Sequence, residues 1–253
     1  MSEFVPLDGL VGAGLGLVLS YPRLDPLLVE RRVLEMGALG VEGVLLRGRS
    51  RMGDVPVLGR GHVGVVVAAR YRGEEVALKV RRVDADRPSL EEEASHLRLA
   101  NGVGVGPVYL GGSGDLLLME LIEGEYLVEW AAGLGAQDGG LVRGVLGGLL
   151  ERAWRLDDLG LDHGELSRAR RHVIVSGGVA RIIDFESAST GRRCSNLTSI
   201  VQYLFFSGGM AGALRRVLPA PDRGVLLGAL RAYKRGPSEG GLRGVLGACG
   251  LLA

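Results

Sequence analysis

Only two of the 30 basic residues in the chain are lysine, and one of them lies in a pattern that suits phosphate chemistry. Lys79 ends the run Val76-Ala77-Leu78-Lys79, and in a strand Ala77 and Lys79 point to one face while the alternate residues point to the other. An ammonium is a compact charge on a flexible stem, which suits contact with a phosphate oxygen better than a planar guanidinium. We therefore predict a phosphate-binding lysine; the simpler interpretation is an exposed cation on a hairpin.

The predicted helix that follows carries three consecutive glutamates, and one of them falls on its apolar stripe. Leu90, Glu93, Ala94 and Leu97 have the i, i+3, i+4, i+7 spacing of one helix face. Because a carboxylate on a buried face is costly unless it is paired, we predict an ion pair between Glu93 and Lys79. The alternative is that Glu93 lies at the edge of the stripe and faces solvent.

A glycine pattern precedes this lysine. Gly59, Gly61 and Gly64 form G-x-G-x-x-G, followed by Val66. In a chain with 43 glycines about one such pattern arises by chance, so its context carries the information. A dinucleotide-binding loop follows a strand and opens a helix, whereas these glycines lie between two strand-like runs. The context favours a hairpin folded over phosphates.

Acidic and histidine residues cluster in a later segment. The run HGEL at 163–166 contains Glu165, and the run IIDFE at 182–186 contains Asp184, 19 residues further on. Asp184 follows a predicted strand, where a ligand to a divalent cation would stand at the edge of a sheet. His163 is expected to be a scaffold residue that bonds the backbone of the Asp184 loop.

These residues must be positioned by a β-rich front half and a helical back half. The predicted strands are 41–46, 55–58, 63–69, 75–82, 108–110, 116–121, 173–175 and 179–183. The predicted helices are 27–36, 90–100, 127–134, 141–159, 196–206, 211–218, 221–234 and 242–251. The pattern indicates an α+β fold with an N-terminal helix and strand extension (1–50), a β-rich nucleotide-binding lobe (51–123) and a helical lobe with the catalytic and metal loops (124–253).

Composition excludes several classes of function. The net charge of +1 gives no strong field toward nucleic acid or anionic lipid. Two cysteines cannot form a disulfide framework, which fits a reducing cytoplasm. The apolar run at 9–21 is shorter than the roughly 20 residues that span a bilayer, and the N-terminus lacks the positive start of a secretory signal. We expect a cytoplasmic protein without a membrane partner.

In chain order these motifs resemble those of a protein kinase: a glycine loop, V-A-x-K, a helix glutamate, a catalytic loop and a D-F-G-like metal site. The short second half and the HGEL form resemble the small atypical kinases, the RIO-type and KEOPS-associated ones. The runs at 79–87 and 183–189 resemble the archaeal family of predicted serine/threonine protein kinases. The resemblance covers roughly residues 20–210.

The resemblance implies a two-lobed protein-kinase-like fold, with an antiparallel sheet and one key helix in the first lobe and a reduced, mainly helical second lobe. It also implies ATP and Mg²⁺ as cofactors, with Lys79 on the α- and β-phosphates and paired with Glu93. The implied nucleotide contacts are Gly59, Gly61 and Gly64 over the phosphates, Val66 and Ala77 above the adenine, Met119 behind it, and the backbone of Glu120 and Ile122 at its edge. Asp184 would hold the metal.

The chain departs from the kinase pattern in its catalytic and metal loops. Glu165 stands where kinases have the aspartate that accepts the substrate proton, and His172 occupies the slot of a metal-binding asparagine. Glu186 replaces the usual glycine after Asp184-Phe185, so we predict that Asp184 and Glu186 together hold the metal. His172 would position a phosphate or be structural. Because imidazole suits Mn²⁺ better than Mg²⁺, Mn²⁺ is the alternative metal.

The function expected from these residues is ATP-dependent transfer of the γ-phosphate to a hydroxyl, as in an atypical serine/threonine protein kinase. The alternative is a pseudokinase, a nucleotide-binding regulatory or interaction module without phosphoryl transfer. A third hypothesis is a small-molecule or RNA-associated kinase or ATPase. The expected partners are ATP and an unidentified protein substrate. The basic residues Arg168, Arg170 and Arg171 would add an RNA-associated partner, unless they form an ordinary solvated loop.

Overall fold

Strands and helices both contribute to the fold, which we describe from a computed structural model for residues 3–252. The strands in this part of the chain are β1 (Glu3–Pro6), β2 (Val41–Leu46), β3 (Ser50–Met52), β4 (Val55–Val57), β5 (Gly59–Arg60), β6 (Gly64–Tyr71), β7 (Glu74–Arg81), β8 (Tyr109–Gly112), β9 (Leu116–Glu120), β10 (Glu125–Tyr126), β11 (Val173–Ser176) and β12 (Val179–Ile182). The α-helices are α1 (Gly16–Ser20), α2 (Pro26–Ala38), α3 (Glu91–Gly102), α4 (Leu127–Ala132), α5 (Gly139–Leu159), α6 (Asn196–Phe206), α7 (Gly208–Leu214), α8 (Arg223–Arg235) and α9 (Glu239–Ala248).

Seven strands form one sheet in the described residues, in the order β1-β2-β6-β7-β9-β8, with β5 paired beside β6. Every pairing in this sheet is antiparallel. Strands β10, β11 and β12 form a smaller sheet, and β3 and β4 form a hairpin. The predicted α+β class with an antiparallel sheet is therefore confirmed.

The longest hairpin of the sheet, β6 and β7, carries the predicted lysine. Its register ends with Tyr71 opposite Glu74, so Arg72 and Gly73 are the two loop residues. Both have positive φ, 53° and 79°, as a type I′ turn requires, and this turn matches the twist of the strands. This two-residue turn sets the register of the hairpin and so fixes which residues of β7 face the core.

One face of the large sheet is covered by the N-terminal helices. Its buried side chains form one core with those of α1 and α2: Leu19, Val29, Met36, Val65, Val67, Val76, Leu78, Val80, Leu116 and Leu118. Since side chains alternate along a strand, Ala77 and Lys79 of β7 lie on the opposite face. The segment predicted as an N-terminal extension thus contributes β1, β2 and two helices to the same sheet and core.

The chain divides into two compact units. The first runs to Ser95 and includes Val108–Leu121, and it contains the large sheet. The second consists of His96–Pro107 and the chain from Ile122 onward, and it contains the smaller sheet and α4 to α9. The division falls within α3, so residues 91–95 of that helix belong to the first unit and the rest to the second.

Helix α5 is the central element of the second unit. Its apolar stripe is almost fully buried and consists of Val142, Val145, Leu146, Leu149, Leu150, Ala153 and Leu156. This stripe accounts for its packing against α6, α9 and β12. The helix ends where Gly160 adopts a left-handed conformation, with φ 78°, a conformation that glycine adopts without steric cost.

Helix bounds agree best with the sequence where end signals are clear. The predicted helix at 196–206 is confirmed residue for residue, whereas 211–218 and 242–251 are found as Gly208–Leu214 and Glu239–Ala248. Glycines at these ends provide weak signals in so glycine-rich a chain.

Among the described helices none alone is long and apolar enough to cross a bilayer; only α6 and α7 together meet that test, with a 73° bend between them.

The N-terminus of α6 is capped by a residue from another helix. Ser195 stands at the cap position without a side-chain capping bond. Instead, the carboxylate of Asp157 on α5 accepts from the backbone N–H groups of Asn196 (2.8 Å) and Leu197 (3.1 Å). It also accepts from the hydroxyl of Tyr233 on α8, at 2.8 Å. Burial raises the pKa of Asp157, and these donors oppose the rise.

Removing one donor from this carboxylate should destabilise the second unit. We expect Tyr233→Phe to lower the free energy of unfolding by about 1–3 kcal/mol, because the buried Asp157 loses a hydrogen bond. Urea unfolding measures the difference. Tyr203→Phe is the matched control, since Tyr203 is a buried tyrosine of α6 outside this network. Equal losses in the two variants would contradict the assigned role of the Asp157 cluster.

Candidate functional site

The first half of the candidate site is a buried ion pair in the first unit. The ammonium of Lys79 donates to both carboxylate oxygens of Glu93, at 2.9 and 2.8 Å. Each side chain is only 5% exposed. The predicted pairing is therefore confirmed, and the interpretation of Lys79 as an exposed cation is wrong.

Helix α3 places Glu93 on its buried side. Leu90 and Ala94 are buried on the same stripe, as the spacing predicts. The start of the helix is fixed by the backbone N–H of Leu90, which donates to the Gly114 carbonyl in the β8–β9 turn at 2.8 Å. Ser89 adds one bond, since its Oγ accepts from the N–H of Glu91. The carboxylate thus reaches the sheet from a helix whose first turn is anchored to that sheet.

The glycine pattern forms a hairpin bend, as its context predicts. Gly59 lies opposite Val66 in the β5–β6 pairing, and the N–H of Gly61 donates to the Gly64 carbonyl at 2.8 Å. A Cβ on Gly64 would lie 2.9 Å from Cγ and 3.0 Å from Cε of Lys79, so only glycine allows this close packing on the lysine stem. A Cβ on Gly59 would meet no atom within 4 Å.

The other predicted nucleotide contacts of the first unit lie on the face that carries Lys79. Val66 is the register partner of Lys79, and Met119 is the register partner of Ala77. Directly paired residues point to the same side of a sheet, so these four side chains share one face. At the end of β9 the backbone N–H of Glu120 donates to the Val108 carbonyl, at 2.8 Å.

The second unit holds Ile122, Glu165, Asp184 and Glu186, and a buried histidine links two of its loops. His163 is fully buried; its Nε2–H donates to the Ile183 carbonyl at 3.0 Å, and its Nδ1 accepts from the Glu165 N–H at 3.4 Å. Burial lowers the pKa of His163 to about 4, so the ring is neutral at pH 7. The expected scaffold role of His163 is confirmed, because one ring fixes the backbone before Asp184 and the backbone of Glu165.

Asp184 has an unusual backbone conformation. Its φ of 68° lies in the left-handed region, where residues other than glycine are uncommon and where strained active-site residues cluster. Its side chain is 37% exposed, and Oδ2 lies 3.9 Å from Nε2 of His172. The other ring nitrogen of His172, Nδ1, lies 3.3 Å from the Arg168 carbonyl, to which it donates. This places His172 beside Asp184.

The residue that follows Asp184 anchors the loop. Phe185 is buried, and its ring lies 5.1 Å from that of His163 in an edge-to-face arrangement. A Cβ on Gly106 would come within 2.9 Å of the Phe185 ring, so the glycine at that position makes room for it. Two residues later, the Ser187 hydroxyl donates to Oε1 of Glu165 at 3.3 Å.

Sequence reasoning did not identify the ion pair that holds this loop. Arg192 donates through Nε to Asp162 at 2.6 Å and through Nη2 to the Ser187 carbonyl. Asp162 also accepts from the Ser195 N–H at 3.0 Å. The only sequence signal is the position of Asp162, directly before His163; the partner 30 residues away is set by tertiary structure.

The carboxylates present fit a metal that arrives with its substrate. Within residues 3–252 no group of three or more His, Cys, Asp or Glu residues is arranged to hold a metal ion. Mg²⁺ commonly binds through one or two carboxylates together with substrate phosphates and water. As two carboxylates, Asp184 and Glu186 have the donor chemistry for binding of this kind, in which the phosphates complete the coordination. They do not form a closed metal cage.

If the Lys79–Glu93 pair is a constraint on the first unit, removal of one charge should be costly. We expect Lys79→Met to lower the free energy of unfolding by about 3–5 kcal/mol, because Glu93 stays buried without its cation. The double variant Lys79→Met/Glu93→Leu should recover most of this loss, as measured by urea unfolding.

The other lysine provides the control for this experiment. Lys234 is exposed near the end of α8, so Lys234→Met should change the free energy of unfolding by less than about 0.5 kcal/mol. A Lys79→Met effect as small as this would contradict the assignment of the buried pair as a constraint on the first unit.

His163 should make stability depend on pH. Between pH 6.5 and about 4 the unfolded chain binds a proton that the folded ring excludes, so stability falls by up to about 3 kcal/mol as the pH drops through this window. In His163→Gln, which keeps a donor toward Ile183, this part of the pH dependence should disappear from urea unfolding curves. His62→Gln, a change at an exposed position, should keep the wild-type dependence of unfolding free energy on pH. If this dependence were lost in His62→Gln and kept in His163→Gln, its assignment to His163 would be wrong.

Comparison with known proteins identifies a distant relative of this chain. No protein-family model matches the sequence. The uncharacterized protein MJ1211 of Methanocaldococcus jannaschii is 30% identical over 100 residues, which is 40% of this chain and 83% of the relative. The name of this relative specifies no activity.

Proposed function

The chain belongs to the family of the uncharacterized protein MJ1211, and from its own geometry we propose that it is an ATP-dependent phosphotransferase that moves the γ-phosphate of ATP to a hydroxyl group. The acceptor would be a serine or threonine of a protein, as in the archaeal predicted serine/threonine protein kinases that the sequence resembles. The first unit would bind the nucleotide, and the second would supply the base and the metal ligands.

The observation that carries the proposal is the buried Lys79–Glu93 pair beneath Gly64. A buried ion pair is often no more stabilising than two apolar residues, so stability alone gives weak grounds for keeping it. Its position supports a functional reason, since the stem of Lys79 lies against a bend formed by a G-x-G-x-x-G pattern. Glu93 would hold the ammonium in place for the α- and β-phosphates.

The sheet face around Lys79 offers a surface of the right chemistry for a purine base. Val66, Ala77 and Met119 lie on that face and are apolar. Because the Glu120 N–H is already bonded to Val108, Glu120 would contact the base through its carbonyl. Together with one helix that bears Glu93, this arrangement supports the nucleotide-binding lobe of a protein-kinase-like fold.

The second unit supports the transfer step. Glu165 is the carboxylate proposed to accept the acceptor's proton, and it already accepts a hydrogen bond from a hydroxyl. Asp184 and Glu186 would bind Mg²⁺, or Mn²⁺, which would neutralise charge on the phosphates. The left-handed backbone of Asp184 and the neutral ring of His163 hold the loops that carry these side chains. A mainly helical unit with such loops supports a reduced kinase-like second lobe.

A nucleotide-binding module without transfer, a pseudokinase, is the second candidate. Glu165 replaces the shorter aspartate, His172 lies beside Asp184 where a kinase has asparagine, and Glu165 is engaged by Ser187. The first unit would then bind nucleotide while the second serves interaction. The two candidates differ in turnover and share binding.

Nucleotide binding and transfer are tested separately. We expect ATP with Mg²⁺ or Mn²⁺ to raise the melting temperature of the wild type, and γ-labelled ATP to give labelled protein or released phosphate. Asp184→Asn should reduce transfer by about 10²-fold or more, because the metal loses a carboxylate ligand. The matched control Asp158→Asn changes an exposed carboxylate on α5 and should leave both readouts unchanged.

Two results would decide against the proposal. Absence of any nucleotide-dependent shift would exclude both candidates. A shift without label transfer or phosphate release, under either metal, would exclude the phosphotransferase and leave the binding module.

A further inference from the structure

A serine hydroxyl already occupies the position of an acceptor at the candidate base. Oγ of Ser187 donates to Oε1 of Glu165 at 3.3 Å. A general base works on a hydroxyl within about this distance of its carboxylate, and bonds of this kind are often long before the reacting complex forms. The contact is therefore the one expected between Glu165 and a substrate hydroxyl.

Ser187 is presented by a fixed backbone. The N–H of Ala188 donates to the Phe185 carbonyl at 3.0 Å, which closes a turn with Ser187 inside it. The Ser187 carbonyl accepts from Arg192, and Arg192 is held by Asp162. A hydroxyl held in this way needs little ordering before reaction, which is a large part of the rate advantage of intramolecular chemistry.

The loop limits the choice of acceptor. Ser189 Oγ accepts from the backbone N–H of Gly191 at 3.1 Å, and Ser195 Oγ lies 3.3 Å from Ser199 Oγ. Thr190 is exposed. Of the four hydroxyls between residues 187 and 195, Ser187 is the one bonded to Glu165.

We propose that Ser187 is the acceptor of an intramolecular autophosphorylation, an inference that rests on the proposed phosphotransferase function. The Ser187 hydroxyl proton passes to the Glu165 carboxylate, and Oγ forms a bond to the γ-phosphorus of ATP. The bond from that phosphorus to the bridging oxygen of ADP breaks, and ADP leaves with the electron pair. The products are phosphoserine 187, ADP and a protonated Glu165, which returns its proton to water.

The test is incubation of the full chain with ATP and Mg²⁺ or Mn²⁺, followed by intact-mass measurement and peptide mapping. We expect one phosphate per chain on Ser187, added at a first-order rate that does not depend on protein concentration. Ser187→Thr should retain the modification, and Ser187→Ala should lose it while keeping the wild-type melting temperature within a few degrees. Glu165→Gln should slow the reaction by about 10²-fold or more.

Ser189→Ala is the matched control, since it removes a hydroxyl of the same loop that is bonded elsewhere, and it should be phosphorylated like the wild type. Phosphate release or labelling of an added peptide without a phosphate on Ser187 would overturn this inference and leave the proposed function intact. A rate that rises with protein concentration would overturn the intramolecular route. Bound nucleotide with no transfer to any acceptor would instead overturn the proposed function, and this inference with it.

Discussion

A buried ammonium bonded to a buried carboxylate is the interaction on which the account of this protein depends. Lys79 on β7 and Glu93 on α3 are 14 residues apart in the chain, and both side chains are removed from water. Neither charge could be buried alone, because desolvation would cost several kcal/mol per ion. The sheet register that puts Lys79 on its face and the helix rotation that puts Glu93 on its stripe must therefore be satisfied together.

The second unit solves a similar problem with neutral and polar groups. His163 is buried without charge and links two loops through its two ring nitrogens. The side-chain amide of Asn196 accepts from the backbone N–H of His163 and donates to Asp157 and to the Leu161 carbonyl. Buried polar groups are tolerated when all of them find partners, and such networks restrict the backbone more tightly than apolar packing. The loops with Glu165 and Asp184 therefore rest on a rigid base.

The sequence predicted what depends on local periodicity. The alternation of β7 placed Lys79 opposite the core, and the stripe of α3 singled out Glu93 among three glutamates. Asp25, directly before Pro26, is a residue type that favours a helix cap, and its carboxylate accepts from two N–H groups of the first turn of α2. In each case a few neighbouring residues contain the whole signal, because side-chain direction in a strand or helix is fixed by residue spacing.

The sequence could not predict contacts between residues distant in the chain. Strand β1 is four residues long and ends in proline, so its pairing with β2 leaves no local pattern. Asp115 forms ion pairs with Arg31, Arg32 and Arg81, which lie 84, 83 and 34 residues away in the chain. Burial opposes its ionisation, but the hydrogen bond from Arg81 and the charge of Arg32 outweigh this and lower the pKa of Asp115. Such clusters depend on which elements meet, and one sequence carries no record of that.

The scarcity of lysine allows a direct test of the central claim. A chain labelled with ¹³C at lysine Cε has two side-chain signals, from Lys79 and Lys234. We expect titration with ATP and Mg²⁺ to shift the Lys79 signal and leave that of Lys234 unchanged. If neither signal showed a saturable shift, or if only the Lys234 signal did, the buried lysine would not bind the nucleotide. Either result would contradict the account.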